Sequence, residues 1–293
     1  MGHVFIVIPV HNRLELTNRC LLSIEHQDYK EKTIIVVDDG STDETSSYII
    51  EQFPRVKLLS GDGNLWWTGA TNLGISLAMR KANPNDFVLL LNNDLIIKPN
   101  YLSSIVSIAN QKPDTIIGSV EVHEEEPKII LSGGVRIDWL TAKHHVLNEN
   151  ERLTNFSKKH TESVSVLTGR GTLYPISVFH QVGLFDNRII HRSDYELPRR
   201  AHLAGYELIV HYSSVVKTIS NRRKDLTINH RKEILLYDIP EFFTGINSNF
   251  NLRDRWFFSQ NAFRCRCRSV IYFIFDFLRI INYLLSRLSL FRT

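Results

Sequence analysis

Three short apolar runs, each stopping at a cluster of polar residues, constrain this chain more tightly than any other feature. Val4-Phe5-Ile6-Val7-Ile8 halts at Pro9 and is followed by His11-Asn12-Arg13. Thr33-Ile34-Ile35-Val36-Val37 halts at Asp38-Asp39-Gly40-Ser41, and Phe87-Val88-Leu89-Leu90-Leu91 halts at Asn92-Asn93-Asp94. Runs that are apolar throughout, rather than at alternate positions, belong to strands buried on both faces. Helical patterns lie between them, from Leu14 to Ile24 and from Ala70 to Arg80, with a further short strand at Val56 to Leu59. Ser41 or Thr42 is positioned to cap a helix running to Ile50, with Asp43 and Glu44 in its first turn. This alternation predicts an α/β fold whose mainly parallel, Rossmann-like sheet is flanked by helices. Ligands of such sheets gather at the carboxyl ends of the strands, where the three polar clusters stand.

The second half is less regular. Ile116 to Val122 and Val164 to Leu167 read as strands, and Tyr195 to Ala204 as a helix stopped by Gly205. Glu124-Glu125-Glu126 and the stretch around Lys158-Lys159-His160 read as surface loops. With 43% hydrophobic and 23% charged residues the chain is globular in composition, not disordered. A net charge of +4 does not argue for nucleic acid, and the arginines are not interleaved with an RNA-reading motif. Those arginines are unevenly placed: from Asn251 onward eight of them stand against two acids. Cys20, Cys265 and Cys267 supply neither a disulfide framework nor a zinc site, which fits a reducing compartment. No signal-peptide pattern is found, and no run approaches the ~20 apolar residues of a spanning helix, so a cytoplasmic location is expected. A P-loop and a Rossmann glycine fingerprint are both missing. The kinase-like run His191-Arg192-Ser193-Asp194 has the wrong spacing for a kinase catalytic loop.

Several segments together resemble family 2 glycosyltransferases, particularly bacterial rhamnosyltransferase-like members. They are Val7-Ile8-Pro9-Val10-His11-Asn12-Arg13, Val36-Val37-Asp38-Asp39-Gly40-Ser41-Thr42-Asp43, Asn64 to Gly74, and Leu89 to Asp94. Leu167-Thr168-Gly169-Arg170-Gly171, Gly183-Leu184-Phe185-Asp186, Ser193-Asp194-Tyr195-Glu196-Leu197 with Arg200, and Gly205-Tyr206 follow in order. Each is weak alone; their order and spacing are specific. The resemblance implies a GT-A domain, with a nucleotide-sugar half over 1–113 and an acceptor-binding, catalytic half over 114–220. A helical C-terminal extension follows over 221–293. The implied activity is inverting transfer of a sugar from a dTDP- or UDP-sugar, dTDP-rhamnose among them, to a glycan or lipid-linked acceptor. The setting it suggests is cell-surface polysaccharide or O-antigen assembly.

Residue by residue, the resemblance assigns donor binding to Pro9, Val10, Asn12, Arg13, Asp38, Asp39, Asn64, Trp67, Asn72, Asn92 and Asn93. Carboxylates such as Asp38 and Asp39 suit a pyrimidine N–H or a ribose hydroxyl, although Asp-Asp-Gly-Ser is also an ordinary turn. Asn92-Asn93-Asp94 stands where the family carries its acidic metal motif, so Asp94 would hold Mg2+ or Mn2+ against the donor diphosphate. Asn92 would touch the ribose or a metal-bound water. A histidine some two dozen residues after the base is a common metal ligand of the family, and Thr218 stands there, leaving His211 or His191 as substitutes. Asp194 inherits the general-base position, taking the proton of the attacking hydroxyl; it could equally cap the helix expected at Tyr195. Gly169, Arg170, Gly171, Glu196 and Arg200 fall to acceptor or phosphate, with an i,i+4 ion pair the plainer reading of the last two. Two adjacent tryptophans, Trp66 and Trp67, serve either a stacking surface or the core.

In the tail, Asp276, Arg279, Asn282, Ser286 and Ser289 recur at three- and four-residue spacing, giving a narrow polar stripe beside a broad apolar face. With Arg264, Arg266 and Arg268 ahead of it, such a helix suits an anionic membrane surface, and so a peripheral site on the inner face of the plasma membrane. Packing on the protein or on a second copy is the alternative. A non-enzymatic reading also stands: a catalytically degenerate sugar-nucleotide-binding or assembly protein, suggested by Asn92, Ser193 and Thr218 at acidic or histidine positions.

Overall fold

A computed structural model describes residues 2–157, 160–219 and 234–287. Lys158, Lys159, Ser289 and the first part of the 221–293 extension lie outside the described residues. Strands β1 (Val4–Val10), β2 (Lys32–Asp38), β3 (Lys57–Ser60) and β4 (Phe87–Leu90) alternate with helices α1 (Leu14–Glu25), α2 (Thr45–Gln52) and α3 (Trp66–Met79). β5 (Leu95–Ile97), α4 (Tyr101–Gln111), β6 (Thr115–His123), β7 (Ile130–Ser132), β8 (Val135–Asp138) and β9 (Lys143–Val146) follow. Next come β10 (Thr161–Ser163), β11 (Thr172–Pro175), α5 (Ile176–Val182), α6 (Ser193–Leu203) and β12 (Glu207–Thr218). The main sheet runs β10-β12-β6-β11-β4-β1-β2-β3, with β5 against β12 and β7 against β6. β1 pairs parallel with β2 and β4, β2 with β3, and β6 with β12. β11 lies antiparallel between β4 and β6.

The continuous apolar runs are explained by burial on both faces. Phe5 and Val7 of β1 pack with Ile75 and Ala78 of α3, whereas Val4, Ile6 and Ile8 pack with Leu21 and Ile24 of α1. The expected strands and helices of the first half are found, with shifted starts that have physical causes. α3 begins at Trp66 rather than Ala70 because the Asp39 carboxylate accepts the N–H groups of Leu65 and Trp66 from outside the helix. α2 begins at Thr45 because Ser41 and Thr42 are engaged elsewhere: the Asn12 N–H donates to Ser41 Oγ, and the Thr42 N–H donates to Asn12 Oδ1. α6 begins at Ser193, so Asp194 stands inside its first turn. Val164 to Leu167 is not a strand; it makes one bridge, Val135 to Val166, and the strand that completes the sheet is β11, just beyond Gly171.

After residue 234, α7 (Ile239–Thr244), α8 (Leu252–Ala262) and α9 (Arg266–Leu285) follow, packed against α6 and the β8 region. Phe258, Ala262 and Tyr272 join Val135, Ile137 and Ile189 in one buried cluster. The polar stripe of α9 is turned inward at its centre: Asp276 is buried, and Arg255 of α8 donates to it at 2.5 Å. Arg192, just ahead of α6, lies 3.7 Å from the same carboxylate. The apolar residues Ile271, Ile274, Phe275 and Leu278 face outward, 41–54% exposed. Among the described residues no helix is long and apolar enough to cross a membrane.

Candidate active site

The tips of β1 and β2 and the loop before α3 surround a cleft of about 530 Å3. Pro9, Val10, Asn12 and Arg13 form one wall, and Asp39, Trp67 and Asn93 complete much of the remainder. Backbone amides hold this cleft in shape. Asp39 accepts the N–H groups of Gly63 at 2.9 Å, Leu65 at 3.2 Å and Trp66 at 2.9 Å. Asp38 accepts the Ser41 N–H at 3.0 Å and the Ser46 hydroxyl. Trp66 sits at φ 55°, a left-handed conformation that a bulky residue rarely adopts. Its exposed indole lines the cleft, which makes it the stronger stacking surface of the two tryptophans, and nothing in the sequence marks that backbone conformation.

Trp67 reaches the other way. Its Nε1–H donates to Asn92 Oδ1 at 2.9 Å, and its ring packs flush on Gly169, where a Cβ would fall 2.2 Å from the indole. Gly169 is therefore a close-approach glycine. The same loop joins both candidate carboxylates. The backbone amide of Gly169 bonds Asp194, and the next residue, Arg170, donates through Nη1 to Asp94 at 3.2 and 3.3 Å. Burial raises the Asp194 carboxyl to about 6, against the moderating amides of Gly169 and Tyr195. A carboxyl in that range exchanges protons close to neutral pH.

The glycosyl transferase family 2 profile matches residues 5–181, more than half of the chain. The chain belongs to that family. Similar proteins include glycosyltransferase GlyG of Streptococcus pneumoniae, 29% identical over 126 residues, or 42% of this chain and 40% of GlyG. N-acetylglucosaminyl-diphospho-decaprenol L-rhamnosyltransferase of Mycobacterium tuberculosis is 27% identical over 214 residues, 64% of this chain and 66% of that protein. Glycosyltransferase RP339 of Rickettsia prowazekii is 26% identical over 66% of this chain and 57% of its own length. The chain thus spans between 40% and 66% of these relatives. Among solved structures, GalNAc-T7 with UDP, GalNAc and Mn2+ has a TM-score of 0.60 at 15% identity, covering 74% of this chain and 44% of that one. The mannosyltransferase PcManGT of Pyrobaculum calidifontis with GDP-Man and Mn2+ has a TM-score of 0.57 at 16% identity, covering 97% and 72%. The shared architecture is the GT-A fold.

Within this family 2 chain, several residues assigned from the sequence are bonded to the scaffold or stand outside the lining of this cleft. The Asn72 amide donates to Phe185 O and Asn187 Oδ1, so it fastens the loop before α6 and does not line the cleft. Asn64 and Asp38 are likewise outside the lining. Glu196 is buried, paired with Arg200 and bonded to Asn261 at 2.8 Å, while Arg200 donates to the carbonyls of Val182 and Leu184. That pair is the plain i,i+4 interaction, used to lock a loop. His211 is buried beside Ser214 and pairs with Ser119, four residues along β6 from His123, the partner of Thr218, and so stands about 13 Å from the Asp94 end of β12. It is not placed to join Asp94. His191 bonds the Ile246 carbonyl at 2.6 Å.

The Mn2+ of both solved structures and the resemblance raise the question of a divalent ion at Asp94. Glu121, which sequence reasoning missed, is the second buried carboxylate there; it lies in a strand pattern with no motif to reveal it. Arg170 stands between the two, donating through Nε to Glu121 at 3.0 Å, and through Nη2 to Thr218 Oγ1 at 2.7 Å. The guanidinium takes up oxygens of both carboxylates that a divalent ion would need, and offsets part of the attraction they would exert on it. No group of three or more His, Cys, Asp or Glu that could hold a metal occurs among the described residues. Among the described residues, two carboxylates with Arg170 between them are a poor donor set for a divalent ion.

Proposed function

We propose that this chain is an inverting glycosyltransferase acting on a nucleotide-diphosphate sugar, with Asp194 as the general base. The observation that carries this reading is the Gly169–Arg170 joint, which sets the Asp194 carboxyl and the Asp94 end of β4 on one loop. The nucleotide occupies the cleft between Arg13 and Trp66, with its sugar toward Trp67 and Gly169. An acceptor hydroxyl attacks the anomeric carbon from the face opposite the diphosphate, Asp194 takes its proton, and the diphosphate leaves with the bonding pair. The transition state is oxocarbenium-like, as in glycoside hydrolysis. Burial of Asp194 serves this step because a carboxylate raised to about 6 is a stronger base than an ordinary one.

A dTDP- or UDP-sugar donor and a lipid-linked acceptor are the finer reading. Two relatives are named for polyprenyl-diphosphate-linked substrates, the decaprenol enzyme above and a GalNAc(5)-diNAcBac-PP-undecaprenol β-1,3-glucosyltransferase of Campylobacter jejuni. The exposed apolar face of α9, with exposed Arg264, Arg266 and Arg268 at its start, suits an anionic bilayer where such an acceptor resides. On this reading the chain works at the inner face of the plasma membrane, in cell-surface polysaccharide synthesis.

The test is a thermal-shift screen of dTDP-, UDP- and GDP-sugars, followed by a transfer assay with the best binder. Asp194→Asn should keep donor binding and lose transfer by roughly 10²–10⁴-fold. Its melting temperature at pH 8 should not fall, because the variant removes a charge that burial disfavours. Undiminished transfer by Asp194→Asn would contradict the assignment, and donor binding without transfer by the native chain would favour the degenerate binding protein.

A further inference from the structure

We propose that Arg170 supplies the cation that meets the donor diphosphate, in the place where related folds hold a metal ion. The inference rests on the glycosyltransferase reading above and deepens it. Three positions that the resemblance gives to metal chemistry have changed together. Asn92 replaces a carboxylate and is engaged by the Trp67 indole N–H; Thr218 replaces a histidine; Asp94, the remaining carboxylate, accepts from Arg170. The guanidinium touches Asp94, Thr218 and Glu121 at once, and its side chain is only 11% exposed. One organic cation therefore stands among the groups that would surround an inorganic one.

The geometry suits a phosphate partner. Nε, Nη1 and Nη2 each hold one protein group, and a guanidinium has five N–H donors. Nη1 meets both oxygens of Asp94, so these four contacts leave one N–H of the five, on Nη2, for a diphosphate oxygen among the described residues. The backbone is held firmly on both sides. Gly169 is pressed against Trp67, which lines the donor cleft, and Gly171 takes φ 82°, where a Cβ would meet Val216 and Ser119 within 3 Å. Arg170 is thus carried on a fixed loop between the donor cleft and the two carboxylates, which hold its fork in orientation. Charge on the leaving diphosphate grows during transfer, and a preorganised guanidinium stabilises it without reorganisation.

Isothermal titration with UDP, dTDP and GDP, in EDTA and then in Mn2+, tests the proposal on the whole chain. A nucleoside diphosphate should bind in EDTA, with an affinity that Mn2+ changes less than about threefold. Arg170→Lys, which keeps the charge and loses the fork, should weaken that binding on the order of tenfold while retaining the native circular dichroism. In Arg170→Ala, where the guanidinium charge is lost, nucleotide affinity should fall further than in Arg170→Lys, and added Mn2+ should restore part of it. If the alanine variant does not fold, the lysine variant carries the comparison. Binding by the native chain only when Mn2+ is present overturns the inference and leaves the glycosyltransferase reading standing. So does Arg170→Lys binding as tightly as the native chain, which would make the arginine a structural bridge. No nucleotide binding in either buffer counts against the glycosyltransferase reading itself, and the inference falls with it.

Discussion

The donor cleft and the ground beyond Trp67 are held together by different means. On the donor side, polar side chains are satisfied by backbone N–H groups: Asp39 by residues 63, 65 and 66, Asn12 by residues 42 and 43. On the other side Asp194 also meets backbone amides, of Gly169 and Tyr195, but most charges there are satisfied by charges. Arg170 is set against Asp94 and Glu121, and Arg192 and Arg255 against Asp276. Loops tied by backbone amides are fixed before any ligand arrives. A site that must meet a developing charge needs charged groups oriented in advance, and ion pairs hold Arg170 in that way. The separation matches the proposed division of labour, with recognition in the amide-held part and reaction beside the ion pairs.

The comparison can be broken by removing one acid from each side. Asp276→Asn should destabilise the chain by about 3–5 kcal/mol in urea unfolding, because it strands two arginines in a buried setting. Asp39→Ala should cost less, about 2–3 kcal/mol, since its orphaned amides lie at a cleft that water can enter. Equal losses, or a larger one at Asp39, would mean that the charged layer is not the more demanding of the two. The smallest effect is expected outside both. Ile274→Glu with Leu278→Glu on the exposed face of α9 should leave the melting temperature and nucleotide affinity unchanged, and abolish sedimentation with vesicles rich in phosphatidylglycerol. Retained vesicle binding would remove α9 from membrane contact.

Legibility in the sequence follows the same division. The strands of the parallel half were plain because burial on both faces leaves no polar position, and their tips were marked by Asn12, Asp39 and Asn93. What no local pattern could reveal was long-range satisfaction. Asp39 extends α3 by four residues from 27 positions away, and Asn72 fastens a loop 113 positions on. β11 follows a glycine turn and is only four residues long, too short for a periodic signal. Glu121 sits in a strand, so its partnership with Arg170 is written in sheet order rather than in a motif. The α9 stripe was visible as a spacing, but its inward direction depended on Arg192 and Arg255, on two other elements.

The pH dependence of kcat/KM tests the reactive half most directly. Asp194 is raised by burial, so it is protonated and idle as a base below about pH 6 and ionised above. The rate should therefore rise tenfold per pH unit up to about pH 6 and then level off, and this acid limb should vanish with the residual activity of Asp194→Asn. A rate that stays flat between pH 4.5 and 8, or a limb that persists unchanged in Asp194→Asn, would contradict the account.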